Sequence, residues 1–288
     1  FDGIDVSTSD QSIEYGYFLR KKADDGCKNV TIKNATITMT KSTSAYVAGI
    51  YSSKHDACTP VGSATGITIT TTNGRNENLL FTGNTITNAF AGIVMRGYNH
   101  STAPRDLYDQ NNTVGAGGAG NILQNIAGNA ASTSYGVYGI YQNGWNVSYN
   151  TIENAAGGGA SATGIFYGIF ASTGVESSLT ARFNTINVSS VSSSLYGINN
   201  AFTGDLVLEN NIVSLSNTAT NTGTYGFLYN SSASAATNPI SISNNEFQAS
   251  SLVASSGSVY LIYNNNSSSV VANISNNFTS GLISRTAT

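Results

Sequence analysis

Tyr138-Gly139-Ile140 is one copy of a tripeptide, Tyr-Gly-apolar, that decides the fold of this chain. The pattern returns as Tyr167-Gly168-Ile169, Tyr196-Gly197-Ile198 and Tyr225-Gly226-Phe227. The four tyrosines, at positions 138, 167, 196 and 225, are spaced 29 residues apart. A short motif that recurs every roughly 20 to 50 residues indicates a repeat protein, in which each repeat buries its apolar face against the next.

A second motif, Asn-x-apolar, falls between the tyrosine motifs. It occurs as Asn150-Thr151-Ile152, Asn184-Thr185-Ile186 and Asn210-Asn211-Ile212. Its apolar residue can be followed along the chain as Ile37, Ile86, Ile122, Ile152, Ile186, Ile212, Phe247 and Phe278. The unequal spacing favours short strands of constant length joined by loops of variable length, because repeats built of helices would hold their period more tightly.

These patterns predict an all-β fold, a parallel β-helix (a solenoid) of about eight coils with three short strands per coil. One strand precedes the asparagine, one follows it, and one carries the Tyr-Gly motif. Residues 1–288 are read as a single domain, expected to be a piece of a longer secreted protein.

Side chains of a strand alternate between its two faces, so the asparagine and the apolar residue two places later both point inward. Asn84, Asn150, Asn184 and Asn210 should therefore form an interior column whose amides bond along the axis. We expect a second column in which the motif tyrosines share a face with their isoleucine or phenylalanine and stack. Its members are Tyr138, Tyr167, Tyr196 and Tyr225.

Composition excludes several classes of protein. Charged residues make up 9% of the chain and the formal net charge is −3, so there is no electrostatic footprint for nucleic acid. The sequence has no run of 18 apolar residues, which excludes a membrane-spanning helix. No cofactor or metal site is predicted. Cys27 and Cys58 lie about one repeat apart, and they could form a disulfide between coils or be two buried thiols.

The repeated Asn-x-Ile strands resemble the right-handed parallel β-helix proteins of the pectin-lyase-like superfamily. That resemblance implies a right-handed coil and a polysaccharide or cell-surface glycan as partner. The superfamily includes polysaccharide lyases, glycoside hydrolases, phage tailspikes and adhesins. The chain, rich in Ser, Thr, Asn and Gly, also resembles surface proteins of Bacteroidetes-type bacteria. This implies a secreted or cell-surface location, type IX secretion, and contact with the secretion machinery or other domains of the parent protein.

Ionisable residues suited to glycan cleavage concentrate between positions 55 and 109. Acid–base cleavage of a glycosidic bond needs at least two positioned ionisable groups. If the chain is an enzyme, its candidate catalytic residues are His55, Glu77, Arg96, His100, Asp106 and Asp109. The alternative, which we favour, is that these are solvated loop charges and that the chain has no catalytic residues.

Tyr141, Phe170 and Tyr229 are candidate sugar-binding rings, since they lie one or two places beyond the motif residue. The alternative for them is packing against neighbouring loops. Three functions remain open: a structural or adhesive module, a polysaccharide lyase or hydrolase, and a non-catalytic carbohydrate-binding module. The sequence favours the first.

Overall fold

A computed structural model describes residues 1–41, 47–54, 66–127, 132–156, 161–191, 194–218, 222–232, 239–253, 257–266 and 271–286. The described chain is an all-β parallel solenoid of about seven coils, close to the eight predicted. Each coil adds one strand to each of three sheets, as expected, and every strand pairs in parallel with its counterpart one coil on. The right-handed sense of the coil stays a prediction, supported by the strong preference of parallel crossovers for that hand.

The sheet that precedes the asparagine corner has eight strands. They are β3 (Thr31–Lys33), β6 (Leu80–Thr82), β10 (Thr113–Val114), β14 (Trp145–Val147), β17 (Leu179–Arg182), β20 (Leu206–Glu209), β23 (Ile240–Ser243) and β26 (Ala272–Ser275).

The sheet that follows the corner has nine strands. They are β1 (Val6–Ser7), β4 (Thr36–Thr38), β7 (Thr85–Thr87), β11 (Ile122–Gln124), β15 (Thr151–Glu153), β18 (Thr185–Ser190), β21 (Ile212–Asn217), β24 (Glu246–Val253) and β27 (Phe278–Thr286).

The third sheet carries the Tyr-Gly motif and has eight strands. They are β2 (Tyr15–Leu19), β5 (Ala48–Ser52), β8 (Ala91–Arg96), β12 (Ser134–Ile140), β16 (Phe166–Gly174), β19 (Leu195–Phe202), β22 (Tyr225–Asn230) and β25 (Val259–Asn264). A small fourth sheet pairs β9 (Asp109–Gln110) with β13 (Gln142–Asn143). The described residues contain no α-helix, and their single 3₁₀ turn is Thr72–Gly74.

The interior column of the nine-stranded sheet corrects part of the predicted series. Paired in successive coils are Val6, Ile37, Ile86, Leu123, Ile152, Ile186, Val213, Phe247 and Thr279. The assignments of Ile122, Ile212 and Phe278 to this column were wrong by one residue. Each of the three directly follows an inward-pointing asparagine and so points outward itself. Phe278 is 52% exposed.

A continuous ladder of asparagines runs along the corner inside the solenoid. Each amide bonds to the amide of the next coil through Asn84, Asn121, Asn150, Asn184, Asn211, Asn245 and Asn277. The assignment of Asn210 was wrong, since its neighbour Asn211 holds the ladder position. Asn210 is the corner residue itself, with φ of 56°, a left-handed conformation that asparagine tolerates well.

The predicted tyrosine column also needs correction. Tyr167 and Tyr196 are paired and stacked, with ring centroids 4.8 Å apart. Tyr138 pairs instead with Phe170, because Tyr135-Gly136 and not Tyr138-Gly139 is the equivalent of the motif in β12. Tyr225 pairs with Leu195 and is fully buried inside the solenoid, where its hydroxyl accepts a hydrogen bond from Asn217 Nδ2 at 2.8 Å.

Candidate binding face

A column of glycines runs along the third sheet, and in these strands the residue before the glycine and the residue two places after it both point outward. In β16, Tyr167 is partly exposed, Gly168 and Ile169 are both buried, and Phe170 is partly exposed again. A Cβ on Gly168 would lie 2.5 Å from the Gly197 carbonyl oxygen and 2.7 Å from the Ile186 side chain. Only glycine allows this approach, and the break in alternation that results brings residues three apart onto one outer face. Tyr167 and Tyr196 therefore lie outside, opposite Ile169 and Ile198, and the prediction that these tyrosines share a face with their isoleucines was wrong.

Two adjacent columns cover this outer surface, which we call the aromatic face. The column before the glycine consists of Tyr15, Ala48, Ala91, Tyr135, Tyr167, Tyr196, Gly226 and Tyr260. The column after it consists of Phe18, Tyr51, Val94, Tyr138, Phe170, Asn199, Tyr229 and Tyr263.

Ring stacking holds the aromatic face together. The Tyr167 and Phe170 rings are 4.2 Å apart and nearly parallel at 8°, and Tyr135 stacks on Tyr138 at 4.5 Å. Stacked rings cover one another's faces, so this part of the surface presents ring edges and hydroxyl groups. Burial raises the pKa of the Tyr167 phenol above its usual value, and nearby tyrosines add to the effect.

The aromatic columns are interrupted in the β5 and β8 coils. Small residues, Ala48 and Ala91, take the tyrosine position, and Val94 takes the aromatic position after the glycine. A cleft opens there between Tyr51 on one side and Tyr135 with Tyr138 on the other. Tyr51 and Tyr138 are two coils apart, so their backbones are separated by about 9.6 Å.

Arg96 projects into this cleft. Its guanidinium carbon is 6.0 Å from the Tyr51 ring centroid and 5.8 Å from that of Tyr138. Arg96 Nε is buried with no hydrogen-bond acceptor among the described residues, and none of their ion pairs includes Arg96. A second cation is near, since burial first and then the Arg96 charge lower the pKa of the Lys54 ammonium. The cleft is therefore aromatic at its sides and positive.

The structure separates the catalytic candidates into three places. Glu77 forms ion pairs with Arg75 at 3.0 Å and Lys28 at 3.5 Å, and the hydrogen bond from Arg75 is the main reason that its pKa is low. Arg75 also donates to the Asp106 carbonyl oxygen at 2.8 Å. The Asp106 carboxylate lies 3.3 Å from His100 Nδ1. Glu77, Asp106 and His100 are thus neighbours, each with a partner inside the chain.

Asp109 lies inside the solenoid and is completely buried. Its carboxylate is 2.5 Å from Lys21 Nζ, and both side chains are completely buried. It also accepts a hydrogen bond from the Asn76 backbone N–H at 2.8 Å. Burial raises the pKa of the Asp109 carboxyl, against the opposing effect of the Lys21 ammonium. His55 and Cys58 lie outside the described residues, so the predicted disulfide stays a prediction; the Cys27 thiol is 3.3 Å from the Arg20 carbonyl oxygen.

Two of the three candidate sugar-binding rings, Phe170 and Tyr229, belong to the aromatic face. Tyr141 does not: its ring packs on Tyr108 with centroids 5.3 Å apart. The cleft around Arg96 was not predicted as a binding site. The available signal was Ala91-Gly92-Ile93, a Tyr-Gly-Ile motif in which a small residue replaces the ring.

No protein-family model, curated protein sequence or solved structure matches this chain. Among the described residues, no helix is long and apolar enough to cross a membrane. The same residues contain no group of three or more His, Cys, Asp or Glu side chains placed to hold a metal ion.

Proposed function

We propose that this chain is a structural and adhesive module of a secreted bacterial surface protein, and that its aromatic face contacts glycans. The observation that carries the proposal is the run of aromatic rings in two adjacent columns along one side of the solenoid. The rings follow the axis at about 4.8 Å per coil. A linear polymer aligned with the axis would meet a new ring edge and hydroxyl group at almost every coil.

The rings suit glycan contact because tyrosine combines an apolar body with a polar tip. The exposed ring edges offer van der Waals contact to a sugar, and the hydroxyl groups exchange hydrogen bonds with sugar hydroxyls. The solenoid supplies rigidity, because each ring is fixed by its neighbours in the coils above and below. Bacterial origin, secretion and the type IX route rest on the resemblance to pectin-lyase-like and Bacteroidetes surface proteins, and they are part of the proposal.

An enzymatic function is the second candidate, and one observation favours it. Glu77, Asp106 and His100 are linked through Arg75 into one partly exposed group, and a lyase or hydrolase would need ionisable groups of this kind. The mutual pairing of these side chains is better explained by loop anchoring, so adhesion is our first proposal.

A glycan array tests the adhesive function. The triple variant Tyr138→Phe, Tyr167→Phe, Tyr229→Phe keeps the stacked rings and removes three hydroxyl groups. At about 1 kcal/mol per hydrogen bond, retention on the best glycans should fall at least about tenfold. Tyr149→Phe is the matched control, because Tyr149 is exposed on the corner, where it stacks on Phe183 outside the aromatic face.

Two results would contradict the proposal. The first is a wild-type protein that retains no glycan on the array. The second is turnover, seen as release of reducing ends or unsaturated uronates from a polysaccharide panel, together with its loss in His100→Ala. That second result would establish the enzymatic function.

A further inference from the structure

We propose that the cleft around Arg96 binds an anionic substituent, a carboxylate or a sulfate ester, on a sugar of the bound glycan. This inference rests on the proposed glycan-binding function and adds a chemical class of ligand to it. It assigns the role to one place, the gap that Ala48, Ala91 and Val94 leave in the aromatic columns.

The first argument is geometric. Between β12 and β19 the rings of the aromatic face stack and hide their faces, whereas at the gap Tyr51 and Tyr138 are two coils apart. Their backbones are about 9.6 Å apart, and the Arg96 guanidinium carbon lies within 6.0 Å of both ring centroids. The small space that remains suits an anionic substituent bound by the guanidinium edge, with the sugar ring that carries it outside the cleft.

The second argument is electrostatic. Arg96 has no carboxylate partner among the described residues, although Glu77, Asp109, Glu176 and Glu209 are each paired with another cation. A guanidinium presents a planar fork of donors that matches a carboxylate or sulfate. The aromatic walls exclude water from one side of the guanidinium, which strengthens an ionic hydrogen bond made there.

A purely structural role for Arg96 makes a different prediction. The guanidinium lies close to 6 Å from both neighbouring rings, where cation–π contacts alone would stabilise the coils. On that account Arg96→Gln would lower the thermal midpoint and leave ligand preference unchanged. The two roles are therefore separated by measuring binding and stability on the same variants.

The experiment uses three polymers with one backbone and one chain length: dextran, carboxymethyl-dextran and dextran sulfate. Binding of the intact chain to each is measured by isothermal titration calorimetry. We expect at least one of the two anionic polymers to bind about tenfold or more tightly than dextran, because hydrogen bonds to charged groups are the strong ones. The net charge of −3 makes non-specific attraction to polyanions weak. Comparing carboxymethyl-dextran with dextran sulfate shows whether the cleft prefers a carboxylate or a sulfate ester.

Three variants locate the effect. Arg96→Gln should abolish the preference for the anionic polymer. Ala91→Tyr extends the tyrosine column into the gap, so it should abolish the preference while the thermal midpoint is unchanged or raised. Arg20→Gln is the control, because Arg20 also lies over a ring of this face, 5.2 Å from the Phe18 centroid, and its removal changes the net charge equally.

The inference is overturned if the wild type binds no anionic polymer better than dextran, or if the preference survives both Arg96→Gln and Ala91→Tyr. Equal loss in Arg20→Gln also overturns it, since net charge would then explain the result. The glycan array decides the broader function separately: retention of neutral glycans there, with no anionic preference here, removes this inference and leaves the adhesive module in place.

Discussion

At the scale of single residues, the asparagines of the interior ladder use their full hydrogen-bonding capacity. Asn184 Oδ1 accepts from the Asn150 backbone N–H at 3.0 Å and from Asn150 Nδ2 at 3.1 Å. Asn184 Nδ2 donates to the Val147 carbonyl at 2.8 Å and to Asn211 Oδ1 at 2.9 Å. A primary amide can make these four bonds, and no other uncharged side chain of this size can do so.

Replacing one ladder asparagine should therefore be costly. Asn184→Leu takes this side-chain partner from the Asn150 backbone N–H and from the Val147 carbonyl, both in a buried place. At about 1–3 kcal/mol for each unsatisfied group, we expect a loss of more than about 2 kcal/mol in the free energy of unfolding, measured by urea denaturation.

Asn210→Gly is the matched control at a corner residue. Its φ of 56° suits glycine, so the change in the free energy of unfolding should stay within about 1 kcal/mol. If Asn184→Leu proved as mild as Asn210→Gly, water would have to reach the corner and replace the lost amide.

The sequence predicts the interior apolar column correctly only when positions are counted from the ladder asparagine, and not from the first isoleucine after it. In Asn184-Thr185-Ile186 both rules agree. In Asn211-Ile212-Val213 two apolar residues follow the asparagine, and Asn210 adds a second candidate in front. Hydrophobicity alone cannot decide whether Ile212 or Val213 points inward. The ladder asparagine Asn211 decides it, because its side chain needs hydrogen-bond partners in both adjacent coils.

At the scale of the strand, the glycine column determines which aromatic residues face outward. A Cβ on Gly16, Gly92, Gly136, Gly168 or Gly197 would approach within 2.6 Å of the carbonyl oxygen of the next coil. A side chain at these positions would therefore collide with the backbone of the next coil. The motif's glycine is a packing requirement, and the tyrosine before it is free to point outward.

Gly168→Ala tests the close approach. The methyl group would lie 2.5 Å from a backbone oxygen that cannot move alone, so the strand must shift. Overpacking of this kind costs about 1–3 kcal/mol, to be measured as a lower urea midpoint.

Gly117→Ala is the comparison, because the nearest atom to its new methyl is 3.6 Å away in the Tyr149 ring. It should change the free energy of unfolding by no more than about 0.5 kcal/mol. Equal effects of Gly117→Ala and Gly168→Ala would show that the β16 backbone accommodates a side chain, and the account of the outward tyrosines would fail with it.

The strand-level prediction from sequence was correct in the number of strands per coil but partly wrong in register. Residues 135–140 read Tyr-Gly-Val-Tyr-Gly-Ile, with two tandem candidates for one motif. The regular 29-residue interval selected Tyr138-Gly139, whereas pairing selects Tyr135-Gly136. Loops of different length make a constant interval in sequence a poor guide to alignment in space.

At the scale of the molecule, the solenoid class followed from repetition, but the cleft could not be found in the same way. It is formed by the absence of rings at Ala48, Ala91 and Val94, together with Arg96 at the end of β8. Each feature is unremarkable in sequence. Only the stacking register of three successive coils places them between Tyr51 and Tyr138, and that register depends on the loops as well as the motifs.

Because its tyrosines are partly buried, the solenoid should lose stability at alkaline pH. Burial is the largest of the effects that raise the pKa of Tyr15, Tyr167 and Tyr196 above the ordinary tyrosine value of 10.0. In the unfolded chain these phenols ionise near that ordinary value. Above it the unfolded state binds fewer protons than the folded state, so the stability that neutral phenols provide is present at lower pH and is lost as pH rises.

We therefore expect the urea midpoint to fall steadily from about pH 10 upward, with phenolate absorbance appearing late and together with unfolding. Tyr167→Phe should make that fall shallower, since one raised phenol is removed, whereas Tyr149→Phe, at the exposed corner, should change it less. Phenolate absorbance that titrates fully near pH 10 with the circular dichroism of the fold intact would contradict the expectation. It would mean that the rings of the aromatic face are open to water, and that the stacking seen between Tyr167, Phe170 and Tyr196 does not protect their hydroxyl groups.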